Sequence, residues 1–424
     1  MRFLPLTPDD RQEMLSAIGV SSVNELYQHV PSHCLPEGLF DIPLHQGEMD
    51  IEQQFRTLAA SNRTAQDGPF FLGAGCYYHH IPAAVDHLIQ RSEFLTSYTP
   101  YQPEISQGTL AVVFQFQSMI ANLTGMEVAN ASMYDGATST AEAAMMARRV
   151  TGRSGILIGN NLHPHYEETL DTYIMHSGGE LHAKEATDQT ACVIIQYPSF
   201  HGTIEDLNYW RKVCDETGAL LVVAVTEIVA LGLLPAPTQA DIVVGEAQSI
   251  GVGMNFGGPH LGFFACNKKH IRQMPGRLCG ATTDADGKRS FVLTLSVREQ
   301  HIRREKATSN ICTNQGLCAT AFTIHLSLLG EKGFKHLARL NHERACQLAD
   351  LLAQVPGVTV LNDTFFNEFV ISLPGDSAII SQQLLEMGVI AGYPLPDNQL
   401  LVAATEMTST HDMATFVAAL KEVL

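Results

Sequence analysis

The segment 133–152 combines small residues and hydroxyl side chains in a way that favours phosphate binding. It has the sequence MYDGATSTAEAAMMARRVTG and predicts a helix that ends at Gly152. The unpaired N–H groups at the start of a helix attract an anion. The same sequence also fits an ordinary helix in which Ser139 and Glu142 form a capping box, so both interpretations stay open. The candidate phosphate loop consists of Gly136, Ala137, Thr138 and Ser139.

Two pairs of histidines raise the question of a metal site. The pairs are His79-His80 and His163-Pro-His165. A zinc site needs several ligands that converge on one point, and an isolated pair lacks the remaining ligands. The nine cysteines are scattered and contain no C-x-x-C pair, so they add no ligand pattern. The sequence therefore predicts no metal site.

The segment 268–306 concentrates positive charge in an acidic chain. The formal net charge of the chain is −18, yet this segment holds ten Lys and Arg residues against four Asp and Glu residues. Such a surplus predicts either an anion-attracting surface or a set of solvated or intersubunit ion pairs, and both stay open. The candidates for an anion-attracting surface are Arg303, Arg304, Lys306, Ser309, Asn310 and Thr313.

Composition excludes two classes of partner. A sequence pI near 5.4 disfavours nucleic acid, because binding to phosphate backbones depends on dense Lys and Arg contacts. Residues 1–15 lack the apolar core of a secretory signal, and no apolar run is long enough to span a bilayer. The sequence therefore predicts a cytoplasmic protein that binds neither nucleic acid nor membrane.

The elements that must position these residues follow from the apolar pattern. Val-, Ile- and Leu-rich runs alternate with amphipathic helices, which predicts a mostly parallel sheet covered on both faces. Residues 107–124 predict one buried helix that Gly125 ends. The predicted strand segments are GILIG (155–159), ACVIIQYP (191–198), ALLVVAV (219–225), DIVVG (241–245) and GPHLGFFAC (258–266).

At 424 residues the chain is long enough for more than one domain. We expect an N-terminal helical arm at 1–64, a large α/β domain at 65–313 and a smaller C-terminal α/β domain at 314–424. Ser409 and Asp412 fit a capping box at the start of the last helix.

This order of features resembles pyridoxal-phosphate-dependent transferases of the aspartate aminotransferase fold, also called fold type I. In those enzymes the loop that corresponds to the one at Gly136 here holds the cofactor phosphate. A later strand ends in an Asp that pairs with the pyridine nitrogen, and a further strand leads to the Schiff-base Lys. The Asp position falls at Ala224 or Val225, and only Glu227 lies close in sequence. Gln248 and Ser249 occupy the position of the Lys. We therefore expect this chain to form no Schiff base.

Three blocks resemble the signature blocks of glycine decarboxylase P-proteins of the glycine cleavage system. They are FLTSYTPYQPEISQGTL (94–110), ANASMYDGATSTAEA (129–143) and REQHIRREKATSNICTNQ (298–315). The resemblance runs along the whole chain and is to the N-terminal half of the long P-proteins, which some organisms make as a separate subunit 1.

The resemblance implies a heteromeric glycine decarboxylase, with pyridoxal phosphate and the Lys on subunit 2. Glycine would lose CO2, and the aminomethyl group would pass to the lipoyl arm of the H-protein. An α2β2 assembly is expected, in which this chain alone is inactive. Two alternatives are an autonomous pyridoxal-phosphate lyase or aminotransferase that uses Lys268 or Lys269, and a non-catalytic protein that binds a small molecule in the vacant pocket.

The loop YTPYQPEIS is the candidate rim of the partner's active site or its lipoyl channel. Pro100 and Pro103 push their preceding residues toward extended conformations, so the loop is stiff where it enters a helix. Loops on a rigid scaffold often carry function, although a Tyr-rich turn can also pack against its own domain. The candidate rim residues of this loop are Tyr98, Tyr101, Gln102, Glu104 and Ser106.

Overall fold

The computed structural model describes residues 6–36, 38, 40–95, 98–182 and 185–424. The chain divides into two compact units, Met1–Arg63 and Thr64–Leu424. The described residues of the first unit include two α-helices, α1 (Pro8–Ile18) and α2 (Glu48–Ala59). Helix α1 begins at a capping box between Thr7 and Asp10 and ends at Gly19, whose φ of 84° suits glycine.

A seven-stranded sheet forms the centre of the second unit, with the strand order β1-β7-β6-β5-β4-β2-β3. Strands β2 to β6 run parallel, whereas β7 pairs antiparallel with both β6 and β1. The mostly parallel sheet predicted from the apolar runs is confirmed. Its strands are β1 (Val128–Ala129), β2 (Gly155–Ile158), β3 (Glu180–His182), β4 (Thr190–Gln196), β5 (Leu220–Val225), β6 (Ile242–Glu246) and β7 (Gly262–Cys266).

Helices cover both faces of this sheet, and strands β4 to β7 are therefore buried almost throughout. The core divides into two large clusters, one for each face of the sheet. Helix α5 ends at Gly125 (φ 70°), as the sequence predicts. The helices are α3 (Ala83–Ile89), α4 (Ser92–Leu95), α5 (Gln107–Thr124), α6 (Gly136–Thr151), α7 (Pro164–Met175), α8 (Leu207–Thr217) and α9 (Gln300–Arg303).

Two smaller sheets complete the second unit. A hairpin, β8 (Leu278–Thr283) and β9 (Arg289–Thr294), packs against α5. A long helix, α10 (Gly316–Leu352), is interrupted at Gly330 (φ 59°) and leads into a four-stranded antiparallel sheet. Its elements are β10 (Thr359–Val360), β11 (Glu368–Ser372), α11 (Ser377–Glu386), β12 (Tyr393–Leu395), β13 (Gln399–Ala403) and α12 (Thr410–Val423).

Helix α12 begins at the predicted capping box of Ser409 and Asp412. Among the described residues, none of the helices combines the length and apolarity needed to cross a bilayer. The residues that follow β4, β5 and β6 all leave the sheet at its carboxyl edge, which is where ligands bind in open α/β sheets. The candidate site therefore lies at this edge.

Candidate functional site

The position of the expected Lys lies in the loop that follows β6. Gln248 and Ser249 are each only 3% exposed, and both side chains are hydrogen-bonded. The Gln248 Nε2 donates to the carbonyl of Val252 at 2.6 Å, and the Ser249 hydroxyl donates to Glu227 Oε2 at 3.1 Å. The two residues that stand in place of the Lys are thus built into the protein interior.

The start of α6 is the predicted phosphate loop, and a carboxylate of the chain already lies there. Glu246, the last residue of β6, accepts a hydrogen bond from the Gly136 N–H at 3.1 Å. Asp135 accepts another from the Thr138 N–H at 2.7 Å. Two of the N–H groups that would bind a phosphate are therefore bonded to acidic side chains.

The predicted capping box of Ser139 and Glu142 is wrong. The N-cap residue is Asp135, so that Ser139 lies one turn inside the helix and its hydroxyl donates to the Asp135 carbonyl at 2.6 Å. Glu142 is buried, and burial raises the pKa of its carboxyl group, while Ser309 and Arg149 lower it. Sequence spacing alone could not distinguish this pattern from a cap four residues earlier.

Tyr166 closes the same loop from α7. A Cβ atom added to Gly136 would lie 1.9 Å from the Tyr166 hydroxyl oxygen, so only glycine fits at this position. The space beside the helix start is occupied by a phenol and a carboxylate. The space directly beside Gly136 is therefore taken by side chains of this chain.

Pyridoxal phosphate does not fit this set of residues. Its phosphate would meet the side chains of Asp135 and Glu246 at the start of α6, which already accept hydrogen bonds from two of the N–H groups that it would need. The position of the pyridine partner is apolar, since Ala224 and Val225 are fully buried in β5. The Lys position holds Gln248. The chain lacks each of the three contacts that the fold would provide to this cofactor.

Lys268 and Lys269 lie at the opposite edge of the sheet. They follow β7, whose last residue pairs with Ile242 at the amino end of β6. The Lys269 Nζ is 3.4 Å from Asp241 Oδ1, at that amino end. The structure therefore does not bring either lysine to the candidate site.

A buried imidazole joins two carboxylates behind Ser249. His79 Nε2 is 3.0 Å from Glu227 Oε2, and His79 Nδ1 is 2.9 Å from Glu406 Oε2. Burial opposes the charge on His79, but the two carboxylates outweigh burial and raise its pKa to about 10. Burial likewise opposes the charge on Glu406, yet His79 holds the pKa of that carboxyl at about 2. His79 is an imidazolium at neutral pH.

Further hydrogen bonds fix this ion-pair network. Glu406 accepts from the His80 N–H at 2.7 Å and from Asn341 Nδ2 at 2.9 Å. Glu227 accepts from the Val229 N–H at 2.8 Å. The network connects the segment before α3, the end of β5, helix α10 and the loop after β13. Sequence reasoning had treated His79 as half of a metal pair and missed Glu406.

The second histidine pair also has protein partners. His163 Nε2 lies 2.8 Å from the Ala74 carbonyl, and its Nδ1 accepts from the His165 N–H at 3.1 Å. Burial lowers the pKa of His163, which keeps it neutral. Across the part of the chain that the structure describes, no three His, Cys, Asp or Glu side chains converge as metal ligands would.

The candidate rim loop contacts the segment that carries the positive charge. Tyr98 is 87% exposed, and its hydroxyl lies 3.3 Å from the Thr313 hydroxyl. The Tyr101 hydroxyl accepts from Arg277 at 2.8 Å, and the Arg277 guanidinium lies 5.0 Å from the Tyr101 ring centre. Gln102 and Glu104 are exposed, whereas Ser106 is buried at the start of α5. Four of the five predicted rim residues of this loop are therefore accessible.

Three of the predicted basic residues share an exposed turn. Arg303, Arg304 and Lys306 are all exposed, and Arg304 has a φ of 55°. Ser309 and Thr313 are half-buried beside this turn, and Asn310 is exposed. In contrast, Arg277 and Arg298 of the same segment are buried and bonded within the chain.

Comparison with known proteins gives a consistent result. The family model described as "Glycine cleavage system P-protein" matches residues 1–420. A protein of Caulobacter sp. (strain K31) named "Probable glycine dehydrogenase (decarboxylating) subunit 1" is 54% identical over 447 residues, covering 100% of this chain and 98% of that protein. A protein of Sphingopyxis alaskensis with the same name is 54% identical and is covered in full.

Solved structures show the same relationship. The crystal structure of a glycine decarboxylase (P-protein) of the glycine cleavage system, in inhibitor-bound form, is 42% identical with a TM-score of 0.91, and both chains are covered in full. A glutamate decarboxylase of Lactobacillus brevis has a TM-score of 0.67 at 12% identity and covers 95% of this chain, which indicates a shared fold. The predicted fold type I class is confirmed.

Proposed function

This chain belongs to the family of the glycine cleavage system P-protein, and we propose that it is the non-catalytic subunit 1 of a two-subunit glycine decarboxylase. One observation carries the proposal. The position of the Schiff-base Lys holds Gln248 and Ser249, and both side chains are already hydrogen-bonded in the interior. Two relatives that align over 98% and 100% of their own length are named as this subunit.

We place pyridoxal phosphate on subunit 2. The cofactor supplies the electron sink that glycine decarboxylation requires. The start of α6 in this chain supports that assignment, because Glu246 and Asp135 occupy N–H groups that a phosphate would need. This chain would then contribute surface and support to the active site of its partner, and the lipoylated H-protein would collect the aminomethyl group there.

A labelling experiment tests the silent-subunit proposal. The purified chain is incubated with pyridoxal phosphate, treated with borohydride and analysed by mass spectrometry. We expect no covalent adduct on this chain alone, and an adduct on subunit 2 when both are co-expressed. An adduct on Lys268, Lys269 or any other lysine of this chain that also supports turnover would overturn the proposal.

An exchange assay tests whether this chain is needed. Glycine-dependent incorporation of labelled bicarbonate is measured for subunit 2 alone and for the co-expressed pair. We expect exchange only with the pair. Equal exchange with and without this chain would show that it is not a subunit of the enzyme, even if the two chains copurify.

The exposed basic turn is our proposed docking point for the acidic surface of the lipoylated H-protein. The basic turn begins close to the rim loop, since the ring centre of His301, two residues before Arg303, lies 6.2 Å from that of Tyr101. Opposite charges accelerate association, and salt weakens the effect. For the double variant Arg303→Glu/Arg304→Glu we expect a higher KM for H-protein and a loss of its salt dependence.

Lys212→Glu is the matched control for this charge reversal, because Lys212 is exposed on α8, a different element of the same unit. Lys212→Glu should leave both the KM for H-protein and its salt dependence unchanged. Unchanged KM and salt dependence in the double variant would contradict docking at this turn. An α2β2 assembly and a cytoplasmic location complete the proposal, and mass measurement of the co-expressed complex tests the former.

A further inference from the structure

A glycine-rich loop projects from the carboxyl edge of the sheet, beside the candidate site. Strand β6 ends at Glu246 and the antiparallel strand β7 begins at Gly262, so both ends of the connection 247–261 lie at this edge. A Cβ atom added to Gly253 or Gly257 would have no atom of the described residues within 4 Å, its chain neighbours aside. The middle of the loop therefore extends into open space.

The tip of this loop, residues 253–258, presents an aromatic side chain to solvent. Phe256 is 77% exposed, and its φ of 52° lies in the left-handed region that residues other than glycine rarely adopt. A left-handed backbone costs free energy in a residue with a Cβ atom, and so does an apolar ring in water. Strained residues of this kind are concentrated at functional sites. Both costs are offset when the ring enters an apolar pocket of another protein.

The base of the loop is fixed by hydrogen bonds, and Gln248 contributes one of them. The Gln248 Nε2 donates to the Val252 carbonyl at 2.6 Å, which closes the first turn of the loop. At the other end, the Leu261 N–H donates to Glu246 Oε1 at 2.7 Å, and the Leu261 carbonyl accepts from the Ala247 N–H at 2.8 Å. The side chain at the position of the Lys thus holds the start of the loop, and Glu246 holds its end.

The composition of the loop indicates the class of partner. Residues 247–261 contain no Asp, Glu, Lys or Arg, although the formal net charge of the whole chain is −18. The core of a protein interface is depleted in charged residues and enriched in aromatic ones, and a few aromatic anchors carry much of the binding energy. A neutral loop with one exposed ring therefore suits a permanently associated chain. It does not suit the acidic H-protein, which we place at the basic turn because opposite charges attract.

We propose that Phe256 anchors this loop in a pocket of subunit 2, and that Gln248 is the positioning residue that holds the loop for this contact. The inference rests on the proposed function, since it takes subunit 2 as the partner. Gln248 acts through the loop and touches neither cofactor nor substrate. The position that lost the Lys therefore has a second role, in assembly of the two subunits.

A tryptophan at the tip of the loop reports contact with subunit 2 directly. Phe256→Trp adds an indole at the exposed position, and the unmodified chain, with Trp210 as its single tryptophan, gives the background signal. On addition of purified subunit 2 we expect the added indole to emit at shorter wavelength and its quenching by acrylamide to fall severalfold. An indole at 256 that stays fully quenched in the assembled pair, or that is protected by H-protein instead, would overturn the proposal.

Met175→Trp is the matched control for this measurement. Met175 is 73% exposed at the end of α7, where the chain returns to the amino end of β3 at the opposite edge of the sheet. Its indole should keep its emission wavelength and its quenching when subunit 2 is added. An equal change at both positions would show a general effect of association and contradict a specific contact of the loop.

Binding measurements separate the anchor from its support. Phe256→Ala removes a mostly exposed ring, so the chain should stay folded, and we expect the Kd for subunit 2 to rise about tenfold. Gln248→Met keeps the size of the side chain but removes the donor to Val252, and it should also raise this Kd. Ser249→Ala, which loses a hydrogen bond to Glu227 at an equally buried position, should leave it unchanged.

A double-mutant cycle tests whether Gln248 acts through the loop. If it does, Gln248→Met raises the Kd in the wild-type background and adds little in the Phe256→Ala background. An equal effect in both backgrounds would show a merely structural role and contradict the proposal. If Gln248→Met does not fold, Gln248→Asn takes its place, because the shorter amide does not reach the Val252 carbonyl.

The bicarbonate exchange assay distinguishes failure of this inference from failure of the proposed function. A pair that associates and exchanges bicarbonate while the indole at 256 stays exposed would overturn the inference and leave the proposed function intact. Absence of both association and exchange would overturn the proposed function, and the inference with it.

Discussion

Replacement of His79 by Gln should strongly destabilise the protein at neutral pH. His79 bridges Glu227 and Glu406, and each of these side chains is at least mostly buried. The rise in the pKa of His79 from 6.5 to about 10 corresponds to about 5 kcal/mol. Because this pKa is raised, the stabilisation is complete below pH 6.5 and is lost as the pH rises through about 10.

The loss of stability expected for His79→Gln follows from the interactions that remain in the variant. The amide of the introduced glutamine would keep one hydrogen bond but leave two buried carboxylates without a counter-charge, and breaking a buried pair in this way costs about 3–5 kcal/mol. We therefore expect His79→Gln to lose about 3–5 kcal/mol in the free energy of unfolding. The assay is urea unfolding at pH 7, with the midpoint and slope compared between variant and wild type.

His80→Gln is the matched control, since the side chain of His80 is exposed in the same segment. Exposed substitutions usually change stability by less than about 0.5 kcal/mol. The reasoning fails if His79→Gln and His80→Gln lose the same small amount. Such a result would mean that the two carboxylates take up protons or water at little cost, and that the network does not depend on the imidazolium.

Three further predictions concern the same site. The pKa of Glu406 is lowered from 4.5 to about 2, which predicts that about 3 kcal/mol of stability is lost as the pH falls from 4.5 to 2. Glu406→Gln should flatten this part of an acid-unfolding curve. This free energy describes the same ion pair as the value for His79, so the two values do not add. Gln248→Lys restores the missing amine but should give no borohydride-stable adduct with pyridoxal phosphate by mass spectrometry, because Glu246 still occupies the start of α6; an adduct would show that the Lys alone was lacking. Asp135→Ala removes the cap of α6 and should cost about 1 kcal/mol in urea unfolding, and a neutral result would mean that other groups satisfy the Thr138 N–H.

Much of the fold follows from the sequence because the parallel strands are buried on both faces. The runs ALLVVAV (219–225) and IVVG (242–245) contain no polar residue, and they lie in β5 and β6. The hairpin of β8 and β9 was missed, because its strands are only partly buried and lie in the segment where positive charge dominates the pattern. The predicted domain boundary at residue 314 stays a prediction.

Some residues of the candidate site could be predicted from the sequence, and others could not. Gln248 and Ser249 could be located because the strand that precedes them is easy to recognise. The network of His79, Glu227 and Glu406 could not, since His79 lies 148 and 327 positions from its two partners along the chain and no local spacing connects them. The identity of the α6 cap was also beyond the sequence, because Asp135 and Ser139 are both good caps.

The Glu246 side chain at the start of α6 affects what the folded chain requires from solution. A protein that binds an anion from solution at the start of a helix is more stable when that anion is abundant and less stable when it is scarce. Here the acceptor is the side chain of Glu246, which is part of the chain and always present. The Gly136 N–H at the start of α6 is therefore satisfied within the chain itself, without a bound phosphate.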